Sequence, residues 1–199
     1  LPSSDELTQA KAEVSKREEV LRVAKESSSL PATTTDGYQV NCLANIGNVK
    51  EAEIAAKNGA EGVGLFRTEF MFLESKEAPT EEAQYEEYMA IDKALGHKPF
   101  VIRTLDAGGD KKIAYLTQMH EDNPMLGVRG VRLCLANREL FKTQLRAILR
   151  TEAENVKVMI PMISKLSEYR AVKQMFEEIK TELNIKANVQ LGIMVEVPS

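Results

Sequence analysis

Alternation is the feature that most limits the folds open to this chain. From residue 38 onward, apolar strand-like runs take turns with helical segments, and turn residues separate them. YQVNCLANIG (38–47) has the composition of a strand. Asn48 then caps a helix, with Glu51 three residues on as capping-box partner and Gly59 as the stop. EGVGLF (61–66) is a second strand. Pro79-Thr80-Glu81-Glu82 opens the next helix with a cap and first-turn acids; Tyr85, Tyr88 and Met89 share its face, and Gly96 ends it. PFVIRTL (99–105) is a third strand, helix 138–154 follows, and VKVMIPMI (156–163) is a fourth. Leu166, Tyr169, Val172, Phe176, Ile179 and Leu183 keep helical spacing behind Ser164 as the cap, and VQLGIMVEVP (189–198) is a fifth strand.

Apolar strands in strict alternation with helices predict a parallel sheet covered by helices. A doubly wound sheet and a (β/α)8 barrel both satisfy that pattern. Five strands fall short of the eight that a barrel needs, so the barrel reading requires about three further units and the alternative is an open five-stranded sheet. Residues 5–27 are charge-rich and free of Gly and Pro, with a thin apolar face of Leu7, Ala10, Val14 and Leu21. They read as a helix that bridges domains, and SSSLPATTTDG (27–37) as the boundary after it. The expected organisation is therefore a linker helix over 1–30 and an α/β domain over 31–199. The chain does not open on Met and stops just after an apolar run, so it is expected to be a piece of a longer protein.

The net charge of −4 and pI near 5.4 give no support for a nucleic-acid or anionic-membrane surface. No run approaches the ~18 apolar residues of a membrane span, and no signal peptide opens the chain, so the expected compartment is the cytoplasm. Cys42 and Cys134 both lie in apolar stretches and read as buried thiols. Met119, Met125, Met159, Met162 and Met194 read as packing residues.

Parallel strands share one C-terminal edge, where ligands of α/β proteins sit. The second strand ends in Arg67-Thr68-Glu69. The third ends in Arg103-Thr104-Leu105-Asp106, followed by Gly108-Gly109-Asp110-Lys111, and the fifth ends in Glu196. Planar guanidinium groups suit a phosphate or carboxylate, the glycine pair lets backbone N–H groups face an anion, and Lys111 adds a point charge. Arg129 and Arg132 follow in a long polar excursion, 106–130, of a length that inside compact domains is usually functional. Glu196 offers the hard oxygens that suit Mg2+. Each piece has an ordinary alternative: Arg67 and Glu69 paired with neighbouring charges as a rim salt bridge, a plain GGDK turn, or Glu196 as partner of an arginine. Convergence on one rim favours a basic, metal-assisted phosphate site. His97 falls on the opposite rim, and His120 reads as a solvent-exposed loop residue.

GAEGVGLFRTEFMFL, RTLDAGGDKKIAYL, NPMLGVRGVRLCL, FKTQLRAILR and GIMVEVPS, in that order and spacing, resemble the phosphoenolpyruvate-binding barrel of Enzyme I. That family comprises the phosphoenolpyruvate–protein phosphotransferases of the bacterial sugar phosphotransferase system, and the similarity runs from about residue 36 to the end. The resemblance implies an incomplete (β/α)8 barrel, about its first five units, behind the segment that joins it to a phosphohistidine domain. It implies that Arg67 and Arg103 grip the phosphate of phosphoenolpyruvate, that Lys111 and Arg129 are basic residues of the same site, and that Glu196 ligates Mg2+. Val197 replaces the threonine of the family's MVETP motif, which leaves the carboxylate in place. The parent enzyme would pass the phosphoryl group to its own histidine and on to the carrier HPr, as a cytoplasmic homodimer. The phosphohistidine motif, the GTNDL-like strand, a further substrate arginine and the enolate-protonating cysteine are not in these residues. No catalytic residue in the strict sense is therefore assigned, and the fragment alone is expected to be inactive. The barrels of pyruvate phosphate dikinase and phosphoenolpyruvate synthase, or a degenerate barrel used as a regulatory module, are the alternatives.

Overall fold

The computed structural model describes residues 2–109, 113–116 and 120–199. Helix α1 (Ser4–Ser27) opens on a capping box, with Ser3 Oγ accepting from Glu6 N–H and the Glu6 carboxylate accepting from Ser3 N–H. It buries none of its residues. Its stability therefore rests on local terms, among them the ion pairs of Arg22 with Glu19 and Glu26.

The run 38–47 is not one strand. Gly37, at φ +88°, turns a small hairpin that pairs β1 (Ala32–Thr33) antiparallel with β2 (Gln39–Val40). The chain then leaves the ladder, Cys42 N–H donating to the Glu61 carboxylate at 2.6 Å, and re-enters a sheet only as β3 (Ala44–Ile46). Turn chemistry at Asp36-Gly37 splits what composition alone joins. Cys42 is consequently exposed, against expectation; Cys134 is buried.

Five strands form one parallel sheet in sequential order: β3, β4 (Val63–Arg67), β5 (Phe100–Arg103), β6 (Val156–Ile160) and β7 (Gln190–Ile193). A doubly wound sheet reverses its strand order at a switch point. No reversal occurs among the described strands, and β3 does not pair with β7. The helices between strands are α2 (Val49–Lys57), α3 (Glu69–Leu73), α4 (Glu81–Leu95), α5 (Val131–Ala136), α6 (Arg138–Leu149) and α7 (Leu166–Glu182). Two caps differ from the sequence reading. The Glu51 carboxylate accepts from Gly47 N–H rather than from Asn48, and Glu168, not Ser164, caps α7 by accepting from Ser164 and Lys165 N–H.

The sheet has one dry face and one open one. Phe66, Phe100, Ile102, Val156, Val158 and Ile160 are buried in the main core, where Phe66 packs edge-on against Tyr88 at 6.0 Å and tilted against Phe100 at 5.8 Å. The residues between them in sequence, Leu65, Val101 and Met159, are only half-buried, and Lys157 is exposed. Val101, Lys157 and Gln190 pair across β5, β6 and β7, so they share one row of that open face. The C-terminal end of the same face carries Arg67 and Arg103.

Candidate functional site

Arg67 and Arg103 are register partners at the last paired positions of β4 and β5, and Arg103 is paired in turn with Met159. The β4–β5 ladder shifts by one residue between Val63 and Phe66, which sets Arg67 opposite Arg103, and that alignment has to be held at the strand ends. A buried polar strut does that. Thr68 Oγ1 donates to the Arg103 carbonyl at 2.9 Å, and Gln144 from α6 donates to Thr68 Oγ1 at 3.1 Å. The Gln144 amide oxygen accepts from Leu105 N–H at 2.9 Å. Thr68 and Gln144 are fully buried. Sequence reasoning missed Gln144, although its signal is visible: an amide at a core-facing position among Phe141, Leu145 and Ile148.

Arg103 is 7% exposed and held by two carboxylates. Its Nη2 donates to Glu69 Oε1 at 2.7 Å, and its Nη1 lies 3.2 Å from Asp106 Oδ2. The second Asp106 oxygen accepts from Arg129 Nη2 at 2.9 Å and Nε at 3.2 Å. Asp106 therefore joins the arginine of β5 to the arginine that precedes α5. Of the two residues read as possible partners of neighbouring charges, Glu69 does take one: it is turned inward onto Arg103 and is 0% exposed. Arg67 is half-buried and makes no side-chain hydrogen bond or ion pair among the described residues.

Glycine lets these parts approach. Gly108 has φ +123°, and a Cβ there would lie 2.5 Å from Arg129 Cβ, so the glycine turn backs directly onto that arginine. Gly130, at φ +52°, would meet Met162 Cγ at 2.9 Å and Asp106 Oδ1 at 3.4 Å. Met162 N–H donates in turn to Glu196 Oε1 at 2.7 Å. Met194, two residues before Glu196, sets its sulfur 3.7 Å from Arg103 Nη1. Arg67, Arg103, Arg129 and Glu196 thus belong to one rim. Lys111 lies outside the described residues. His120 is exposed, and His97 pairs its Nδ1 with Asp92 Oδ2 at 2.6 Å beside β5's N-terminal end.

Two neighbouring groups are held neutral. Burial, then the negative charge of Asp106, pushes the Cys134 thiol well above its ordinary value, and its Sγ sits 3.6 Å from the Leu105 carbonyl. Burial raises the Tyr115 phenol to about 12, and its O–H donates to the Phe72 carbonyl at 3.1 Å, tying the long excursion to α3. Neither is equipped as a nucleophile at neutral pH.

Chemically, the rim offers three guanidinium groups with two buried carboxylates behind them, an arrangement suited to a small polyanion. No cluster of three or more His, Cys, Asp or Glu side chains placed to hold a metal occurs among the described residues. Glu196 is the acidic side chain at the end of β7; one of its oxygens accepts the Met162 N–H. One carboxylate is compatible with Mg2+, which completes its shell with water and phosphate oxygens.

A family model described as "PEP-utilising enzyme, PEP-binding domain" matches residues 22–199. The phosphoenolpyruvate-protein phosphotransferase of Haemophilus influenzae is 43% identical over 201 residues, covering 98% of this chain and 34% of that protein. The protein of the same name from Mycoplasma genitalium is 41% identical over 198 residues, covering 99% of this chain and 35% of its own length. A multiphosphoryl transfer protein of Rhodobacter capsulatus is 48% identical over 170 residues, 85% of this chain and 20% of that protein. The chain spans about a third of the length of the phosphotransferases it matches.

Proposed function

Since the chain belongs to the PEP-binding domain family of PEP-utilising enzymes, we propose that it forms part of the phosphoenolpyruvate-gripping domain of a phosphotransferase that phosphorylates its own histidine and then the carrier HPr. The observation that carries this reading is the pairing of Arg67 with Arg103 in register, the second braced by buried Glu69 and Asp106 and the first left open. Phosphoryl transfer asks a protein for positioning and charge neutralisation more than for covalent chemistry.

In this reading Arg67 donates to the phosphate oxygens through an uncommitted guanidinium. Arg103 and Arg129 meet the same ligand with the edges that their carboxylates leave free. Lys111, from the glycine turn, adds a fourth positive charge. Glu196 holds Mg2+, which when bound neutralises phosphate charge. Leu65, Val101 and Met159 line the open face beside the arginines and limit water around the ligand. The sequential strand order favours closure of the sheet into a (β/α)8 barrel by units contributed from the rest of the protein, with residues 1–30 as the linker helix. The protein is read as a cytoplasmic homodimer, and the 199-residue chain alone as lacking turnover.

Thermal melting of the full-length protein tests the reading. Phosphoenolpyruvate with Mg2+ raises the midpoint, and Arg67→Ala abolishes that rise while leaving the unliganded midpoint within about 2 °C, as expected for a side chain with no hydrogen-bond or ion-pair partner among the described residues. A ligand-induced rise that survives in both Arg67→Ala and Arg103→Ala would overturn it.

A further inference from the structure

Arg129 has two nitrogens committed to Asp106, and among the described residues its third, Nη1, meets only a thioether: Met125 Sδ lies 3.5 Å away. Met125 was expected to pack in the interior. Instead it is 52% exposed, the only exposed methionine among the described residues. The cause is local, because Met125 lies within successive turns in which Leu126 N–H donates to the Asn123 carbonyl and Gly127 N–H to the Pro124 carbonyl, while Glu121 accepts from Val128 N–H. The sulfur also borders the glycine turn, 3.4 Å from where a Cβ on Gly109 would stand. It therefore sits between two of the parts that would receive the anion.

We propose that Met125 is a reversible oxidation site that closes Arg129 to its anionic ligand. The chemistry balances with a peroxide as oxidant. The sulfur lone pair attacks one peroxide oxygen, the O–O bond breaks, and an S=O bond forms. Sulfur loses two electrons, and the second peroxide oxygen departs as hydroxide, which takes the proton of the transferred oxygen and leaves as water. A thioether is a weak acceptor, whereas a sulfoxide oxygen is a strong one. At this position it accepts a charge-assisted hydrogen bond from Nη1, the edge of Arg129 that Asp106 leaves available. A ligand must then displace that bond. Reduction of the sulfoxide by a thiol-dependent methionine sulfoxide reductase restores the thioether and reopens the edge. Met194 stands in the same relation to Arg103 Nη1, at 3.7 Å, but is only half-buried rather than exposed, and reacts more slowly.

The effect on ligand affinity rests on the phosphoenolpyruvate reading above; the oxidation site itself does not. The test is made on the full-length protein, treated with limiting hydrogen peroxide and mapped by peptide mass spectrometry, beside Met125→Leu. Met125 should be the first methionine of this region to gain one oxygen. Phosphoenolpyruvate affinity, measured by calorimetry with Mg2+, should fall about tenfold in the oxidised wild type, stay unchanged in peroxide-treated Met125→Leu, and recover after reductase treatment. Oxidation of Met125 no faster than that of Met71 or Met89, or an equal fall in both proteins, would overturn the proposal. If untreated protein binds no phosphoenolpyruvate, the functional reading fails, and the peptide map still decides the oxidation site.

Discussion

Asp106→Asn isolates the element on which the geometry of the rim depends. The side chain is 4% exposed, and its two oxygens meet Arg103 Nη1 at 3.2 Å, Arg129 Nη2 at 2.9 Å and Arg129 Nε at 3.2 Å. Asparagine keeps the shape, so no cavity opens and packing is not at issue. Its carbonyl oxygen can still accept from Arg129, but its NH2 group then faces the Nη1 donor of Arg103, and both guanidinium groups lose their shared counter-charge. Breaking a buried pair from one side removes about 3–5 kcal/mol, and the surviving Arg129 contacts place this case near the lower end, about 3 kcal/mol. For a chain of this size each kcal/mol moves the midpoint by about 2–4 °C, so the expected loss is about 6–12 °C in a circular-dichroism melt. A double-mutant cycle with Arg129→Met assigns the loss, since an asparagine that no longer faces a buried cation at Arg129 should be less harmful by at least about 1 kcal/mol. An Asp106→Asn midpoint within about 2 °C of wild type, with no coupling to Arg129, would refute the claim that this carboxylate holds the arginines in place.

Three further outcomes follow from the same structure. Gln144→Leu roughly preserves volume but takes the acceptor from Leu105 N–H and the donor from Thr68 Oγ1, which keeps its own bond to the Arg103 carbonyl, so it should lower stability by about 2 kcal/mol in urea denaturation. Of the two cysteines, exposed Cys42 should react with iodoacetamide at neutral pH while Cys134, buried and held as the thiol, reacts only in denaturant; mass spectrometry of native and unfolded protein reads this directly. Glu81 joins α4 to Arg146 and Arg150 of the α6 end, at 2.8 and 2.9 Å. Burial opposes its ionisation, but those two arginines outweigh burial and hold its pKa below the usual carboxylate range. A lowered folded pKa contributes stability that is complete above the unfolded value, about 4.3, and is lost as pH falls through the folded one. The melting difference between wild type and Glu81→Gln should therefore be present at pH 6 and vanish as the pH drops below 4.

Local signals made the strands and most helices legible. Val63 to Phe66 and Phe100 to Ile102 are apolar runs too short and too β-branched or aromatic for helices, and Asn48, Thr80 and Gly96 mark helix ends by their own backbone chemistry. Cys42 shows where that logic stops: its neighbours are apolar, yet the hairpin upstream and the bond to Glu61 hold it outside the sheet. The rim was legible as a set of residues because parallel strands must end on one edge. Its wiring was not. That Glu69 turns to Arg103 rather than to Arg67, two residues away, is a contact across 34 positions, and the Asp106–Arg129 bond spans 23. Sequence order carries no information about which oxygen of Asp106 faces which arginine. Met125 was misread for the same reason, since whether a methionine packs or stands at a guanidinium depends on a turn folded over Glu121.

That wiring decides how the rim can work. A free arginine has several rotatable bonds and loses their freedom when it grips an anion, which weakens binding. Arg103 and Arg129 have already given up that freedom to Glu69 and Asp106, so their remaining donor edges point in fixed directions before any ligand arrives. The buried carboxylates also cancel part of the repulsion among the cations, which otherwise would drive the strand ends apart. Arg67 is the complementary case: it has no hydrogen-bond or ion-pair partner among the described residues, so in the proposed function its guanidinium is left for the ligand. If the proposed function holds, one unbraced and two braced guanidinium groups should therefore divide the task, with Arg67 dominating the affinity for phosphate and the braced pair dominating its orientation. Substituting Arg67 by Lys, which keeps the charge and gives up the planar fork, should then weaken binding while leaving the orientation set by Arg103 intact.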